Sequence, residues 1–148
     1  MNATNQFLAY AAAFEETYED DDWERIKPFF SSDVVYLVES EVFGARLVGP
    51  DAVAAGIKKS LDGFDRRFTE RKLEATGPPK AEGDEFEIGW RAHYLRDGVE
   101  PLVVNGSSAV RVRDGKIYEM IDRYDAEADR ELRAWQARNA FAIDPSYR

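Results

Sequence analysis

An aspartate near the end of this chain stands among large apolar neighbours. In Gly115-Lys116-Ile117-Tyr118-Glu119-Met120-Ile121-Asp122, period-two alternation puts Tyr118, Met120, Asp122 and Tyr124 on one face of a strand. A carboxylate in such company needs a partner or a task, because its burial costs free energy. The one histidine lies in Arg91-Ala92-His93. Brought together, His93 and Asp122 form a general acid–base pair. Imidazole titrates near neutrality and can donate, while the carboxylate accepts from water or a C–H. Arg91 would hold the two in place and balance charge. Tyr36 and Tyr124 could orient a substrate oxygen or the water. The bland alternative is a structural Arg91–Asp122 salt bridge with His93 at the surface. This chemistry needs no cofactor.

The bulk numbers bound the rest. A chain of 148 residues is read as a single domain over 1–148, large enough for a core. No cysteine and one histidine exclude thiolate chemistry and Cys- or His-rich metal sites, and no carboxylate spacing marks a metal site. A net charge of −9 would repel nucleic acid and anionic membrane surfaces. The N-terminus lacks a signal-peptide pattern, and no apolar run reaches membrane length, so the expected location is the cytoplasm.

The elements that must position these groups follow from periodicity. Phe7, Tyr10, Phe14 and Tyr18 mark a first helix, capped by Thr4 or Asn5. Asp22 caps a short second helix with Trp23, Ile26 and Phe30, kinked or stopped early by Pro28. Residues 33–39 read as a strand that pairs with 42–48. Gly49-Pro50-Asp51 opens a third helix with Val53, Ile57, Leu61 and Phe64 on its apolar stripe. Turns at Gly77-Pro78-Pro79, Arg96-Asp97-Gly98 and Arg113-Asp114-Gly115 divide strands 68–75, 85–95, 102–112 and 116–124. Asp125 caps a last helix over 126–139, and residues 143–148 form a loose tail. The fold class is α+β: a cone-shaped barrel of curved, mixed or antiparallel sheet, with helices on its concave face and a ligand cavity inside.

This order resembles the nuclear transport factor 2-like superfamily, in particular its SnoaL-like and limonene epoxide hydrolase-like branches. The resemblance runs over about residues 5–125. Its carriers are Asp22-Trp23-x-x-Ile26-x-x-Phe29-Phe30-x-x-Asp33-Val34, then Gly49-Pro50-Asp51-Ala52-Val53, then Gly-Lys-Ile-x-Glu-x-x-Asp at 115–122. By resemblance to the epoxide hydrolase branch, Asp122 matches the last-strand Asp, Arg91 the meander Arg and Tyr36 the first-strand Tyr. His93 stands where that family has an acid Asp, and Val38 where it has an Asn. The steroid isomerase branch would put its helical Tyr on Phe14 and its base on Val38. In the same register Tyr124, Met120, Val38, Leu61 and Phe64 line the ligand site.

The faces of strand 85–95 remain in tension. Phe86, Ile88, Trp90, Ala92 and Tyr94 form an apolar row; Glu85, Glu87, Gly89, Arg91 and His93 form the other. Simple burial turns the apolar row inward and Arg91 and His93 to solvent. The family register reverses this and leaves Trp90, Tyr94, Ile117 and Ile121 on an outer face too apolar to stay wet. The second reading predicts a homodimer through that face. The expected function is a cofactor-independent enzyme that hydrates, dehydrates or isomerises a small, apolar, oxygenated molecule. A non-catalytic binder of such a molecule, or a dimeric scaffold, is the rival.

Overall fold

The computed structural model describes residues 2–144. Helix α1 spans Ala3–Asp20. Its N-cap is Asn2, whose side chain accepts from the Asn5 amide at 2.8 Å, in place of the expected Thr4 or Asn5. The helix ends where Asp21 turns left-handed at φ 61°. The second helix is instead two single 3-10 turns, Trp23–Arg25 and Lys27–Phe29, because Pro28 cannot continue an α-helix. Asp22 makes no side-chain cap there.

Strand β1 (Phe30–Glu39) starts before the predicted residue 33, and β2 (Ala45–Val48) folds back on it antiparallel. Helix α2 (Pro50–Gly63) follows, with Pro50 in its first turn and Val53, Ile57 and Leu61 buried. Then come β3 (Glu70–Ala75), β4 (Lys80–Glu82), β5 (Glu85–Leu95), β6 (Leu102–Arg113), β7 (Lys116–Tyr124) and helix α3 (Ala126–Asn139). The short β4 has no counterpart in the sequence reading. Asp125 caps α3 through the Ala128 amide at 2.7 Å, as the sequence predicts. Of the expected loose tail, residues 145–148 lie outside the described part, while the Asp144 amide is tied to the Gly63 carbonyl at 2.9 Å.

The fold is α+β, with seven strands described in one curved mixed sheet. The order is β2-β1-β7-β6-β5-β3, with β4 paired to β5 off that path. Only β1 and β7 run parallel among these pairs. The sheet stays open between β2 and β3. Two apolar clusters fill its inner side. One gathers Tyr10, Ile26, Val34, Val53, Ile57 and Met120 under α1 and α2. The other gathers Phe64, Phe68, Tyr94, Leu132 and Trp135 under α3.

Parity in the sheet is set by burial, and here the simple rule holds. Phe86, Ala92 and Tyr94 are buried, and Ile88 and Trp90 pack against the clusters. A register shift between Arg111 and Val112 flips the start of β7. Ile117 is therefore fully buried, while Tyr118 stacks under the Arg113 guanidinium at 4.6 Å. Tyr118 does not share a face with Met120 and Asp122. Of the four residues expected on an apolar outer face, only Ile121 remains outside. It lies in an outer cleft of about 540 Å³ with Glu85, Glu87, Arg111, Glu119 and Arg123. The patch that argued for a dimer through Trp90 and Tyr94 is absent, because those rings are part of the core.

Candidate active site

The site grows from four adjacent strands, β1, β7, β6 and β5. On the inner face of β6 the apolar row Leu102, Val104, Val110, Val112 is interrupted by Gly106 and Ser108. The register sets Ser108 opposite Asp122 on β7, and Ile88 opposite Ser108 on β5. Ser108 Oγ donates to Asp122 Oδ1 at 2.6 Å. Trp90 Nε1 donates to Ser108 Oγ at 2.9 Å. On the other side, Tyr36 of β1 donates its hydroxyl to Asp122 Oδ2. The result is one chain of hydrogen bonds, Trp90–Ser108–Asp122–Tyr36, across four neighbouring strands. Both carboxylate oxygens receive a hydroxyl, which supports the ionised form at this partly buried site.

Gly106 makes this arrangement possible. A Cβ there would lie 2.6 Å from Trp90 Cη2 and 2.6 Å from the Arg123 carbonyl oxygen. The indole lies over the bare backbone of β6, and this close approach lets its N–H reach Ser108. Trp90 then meets Tyr124 edge to face, with ring centroids 5.4 Å apart, and Phe43 closes the other side of Tyr124 at 5.4 Å.

The electrostatics follow from burial. Burial pushes the Asp122 carboxyl above its ordinary range, and the Ser108 and Tyr36 hydrogen bonds pull against it. Tyr36 and Tyr124 are held well above the usual phenol value, first by burial and then by the Asp122 charge. Both stay protonated and act as donors. Tyr10 of α1 is also raised, by burial and then by Asp122. The hydroxyls of Tyr10 and Tyr124 bond no described residue, yet no buried polar side-chain atom among the described residues lacks a partner. Both hydroxyls therefore keep some exposure to solvent, and both feel the charge of Asp122.

The structure does not bring His93 and Arg91 to this place. His93 Nε2 lies 3.3 Å from Glu74 Oε1, with its side chain 34% exposed. Arg91 bonds Asn105 Oδ1 at 3.0 Å and Glu74 Oε1 at 3.1 Å. These partners come from the outer rows of β3 and β6, which the register aligns with Arg91. The predicted convergence of His93 with Asp122 fails because the apolar row of β5 takes the inside. Met120, Leu61 and Phe64 are buried core at 3%, 4% and 1% exposure. Val38 packs against the first cluster and Tyr124 against the second.

A model of the SnoaL-like domain matches residues 10–120. The chain belongs to the SnoaL-like family. Among curated proteins the sequence has no match. Solved structures share the fold at low identity. TerC, crystallised with polyporic acid, is 17% identical over 86% of this chain and 97% of its own, with a TM-score of 0.63. An epoxide hydrolase like limonene epoxide hydrolase, from M. tuberculosis, is 16% identical over 93% and 94%, at TM-score 0.60. A polyketide cyclase assigned in Xanthomonas campestris pv. campestris is 20% identical over 90% and 96%, at TM-score 0.58.

This SnoaL-like chain also holds polar groups that the sequence reading passed over. Ser108 was legible as a polar break in an otherwise apolar period-two row. Trp90 was legible by the burial rule that the family register displaced. Asp65, just after α2, is partly buried against Arg71 of β3 at 3.1 Å and Tyr94 Oη of β5 at 3.4 Å. Burial pushes the Asp65 carboxyl up, while Arg71 and Tyr94 pull it down. No local spacing marks that cluster, because its members come from a turn and two strands. Among the described residues no three His, Asp or Glu converge as a metal site, and no helix is long and apolar enough to cross a membrane.

Proposed function

We propose that this chain is a cofactor-independent enzyme that moves a proton on a small, largely apolar, oxygenated molecule, with Asp122 as the base. One observation carries the reading. Asp122 receives two hydroxyl bonds in an aromatic surrounding, and the hydroxyls of Tyr10 and Tyr124, which feel its charge, bond no described residue. In its ionised form Asp122 takes a proton from an activated C–H or from water. Burial brings its carboxyl closer to neutrality, which suits proton uptake and return at working pH. Tyr36, kept protonated, has a weaker acceptor once Asp122 is neutralised and can shift its donation to the oxygen that gains charge. Tyr124 and Tyr10 offer further donors to that oxygen.

The names of similar proteins support the class of ligand: an epoxide hydrolase, a polyketide cyclase and a protein crystallised with polyporic acid. The geometry favours isomerisation, elimination or cyclisation over epoxide opening. His93, which would have been the acid of an epoxide hydrolase, is paired with Glu74 on the far side of the sheet. The reading requires one chain only. A non-catalytic binder is the second reading, favoured by the fact that Asp122 is the only readily titrating group in its hydrogen-bond chain.

Deuterium exchange tests this without a known substrate. A panel of small cyclic ketones is incubated with protein in heavy water, and loss of α-proton signal is followed by NMR. Asp122→Asn, shown folded by circular dichroism, should lose about 10²–10⁴-fold in exchange rate, the range for removal of a general base. Undiminished exchange in Asp122→Asn removes Asp122 from the chemistry. Tight binding with no exchange in the unmodified protein selects the binder.

A further inference from the structure

We propose that Asp129 of α3 is a positioning residue for the Asp122 site: it orders the turn between β1 and β2 so that Phe43 holds the Tyr124 ring against Trp90. The inference rests on the reading that Asp122 acts as a base with Tyr124 as a donor, and it names what sets that donor in place.

The latch is made of hydrogen bonds. Asp129 lies in the first turn of α3 and is only 6% exposed. Both its oxygens are engaged by the turn: Ser40 Oγ donates to Oδ1 at 2.5 Å and the Glu41 amide to Oδ2 at 2.9 Å. Ser40 Oγ in turn accepts from the amides of Val42 and Phe43, each at 3.0 Å. The amides of 41–43 are thus fixed by Asp129, directly or through Ser40. The turn closes on Gly44, where a Cβ would lie 2.6 Å from the Ser40 carbonyl oxygen. With this backbone set, Val42 is buried, and the Phe43 ring meets Phe64 at 5.0 Å and Tyr124 at 5.4 Å.

Tyr124 needs such support because the sheet gives it little. It is the last residue of β7. On the β6 side its register partner is Gly106, which has no side chain to pack against it. On the β1 side the ladder ends at Glu39 and Arg123, one residue short of Tyr124. Its ring stands between two others, Trp90 edge to face and Phe43. Trp90 also starts the hydrogen-bond chain to Asp122, so moving Phe43 moves Tyr124 and disturbs the indole that bonds Ser108. A simple staple between helix and turn would need no buried charge. Arg133 and Glu41 already pair there on the surface at 3.1 Å, and α3 docks through Leu132 and Trp135. What the buried carboxylate adds is one defined path for residues 40–43.

The test reads placement and rate separately. Protein is labelled with fluorotyrosine, and the Tyr124 fluorine signal is identified by its absence in Tyr124→Phe. Exchange of cyclohexanone in heavy water gives the rate at saturating ketone and its KM. Asp129→Asn sets an amide donor against one of the two donors of the turn. In the folded variant the Tyr124 signal should shift, while that of Tyr118, stacked under Arg113, stays in place. The saturated rate should fall about tenfold or more with KM within about threefold, as for a misplaced group in an otherwise intact site. Phe43→Leu keeps the bulk, removes the ring and should do the same. Added to Phe43→Leu, Asp129→Asn should slow exchange by less than about twofold more, because both act through one ring. An unmoved Tyr124 signal in folded Asp129→Asn overturns the proposal. So does an unchanged rate where Asp122→Asn abolishes exchange, or losses that multiply in the double variant. An unmoved signal in Phe43→Leu overturns it even if Asp129→Asn does not fold. The preceding reading fails separately: if exchange is absent across the ketone panel or persists in Asp122→Asn, Asp122 is not the base, and the Tyr124 signal still decides the placement.

Discussion

Replacing Ser108 by alanine isolates the contribution of the hydroxyl at the centre of the chain Trp90–Ser108–Asp122–Tyr36. Ser108→Ala removes the 2.6 Å donation to Asp122 and the 2.9 Å acceptance from Trp90 with little change in volume. A hydrogen bond to a charged group is worth about 1.5–3 kcal/mol, and an indole N–H left without a partner costs about 1–3 kcal/mol when dry. Trp90 is only partly buried, so water replaces Ser108 in part and the second figure sits at its low end. The expected loss is about 3 kcal/mol where Asp122 is ionised, falling to about 1 kcal/mol where it is neutral. The sign follows from linkage. Burial raises Asp122, so the native state holds more protons than the unfolded chain between the two pKa values, and stability falls as pH rises through that window. Without the Ser108 bond the native carboxyl is raised further, and the fall becomes steeper. Urea unfolding followed by tryptophan fluorescence at about pH 4 and about pH 8 brackets the carboxylate range and measures the difference. The acid limb of the deuterium-exchange profile should move to higher pH in the same variant. A loss that is the same at both pH values would refute the reasoning, because Ser108 would then not be supporting a charge.

Two further substitutions test the placement of the strands. His93→Gln should leave deuterium exchange within about twofold of the unmodified protein, since surface substitutions away from a site change little; a loss comparable to that of Asp122→Asn would put His93 back in the site. Gly106→Ala should cost about 1–3 kcal/mol, because the new methyl collides with the Trp90 ring and a backbone carbonyl. It should also alter the near-ultraviolet circular dichroism of Trp90 and slow exchange, whereas an unchanged spectrum and full activity would mean that the indole does not lie over Gly106.

The fold was legible because its signals are local. The aromatic stripe of α1, the Gly49-Pro50 entry to α2, the turns around 96–98 and 113–115, and the Asp125 cap all act over a few residues. Asp122 was legible for a similar reason: alternation along β7 sets a carboxylate on the same row as Met120 and Tyr124. His93 lies outside because burial, and not the family register, sets the parity of β5. Five apolar side chains, from Phe86 to Tyr94, gain more by leaving water than two polar ones, and they took the inside. Ile117 and Tyr118 depart from simple alternation for another reason. Alternation holds only while the ladder is regular, and the shift at Arg111/Val112 inserts a residue.

By itself, then, the sequence determined the kinds and order of the elements, the parity of the regular strands and the presence of a costly aspartate. Those depend on chain stereochemistry and on the pattern of apolar side chains within each element. Tertiary structure alone decided who meets Asp122. Ser108 and Tyr36 are 14 and 86 residues away from it in the chain. Their approach depends on which strands become neighbours, on the stagger between them and on a glycine that lets Trp90 lie flat. Cross-strand partners are set by register, a property of pairs of strands, and no spacing within one strand encodes it.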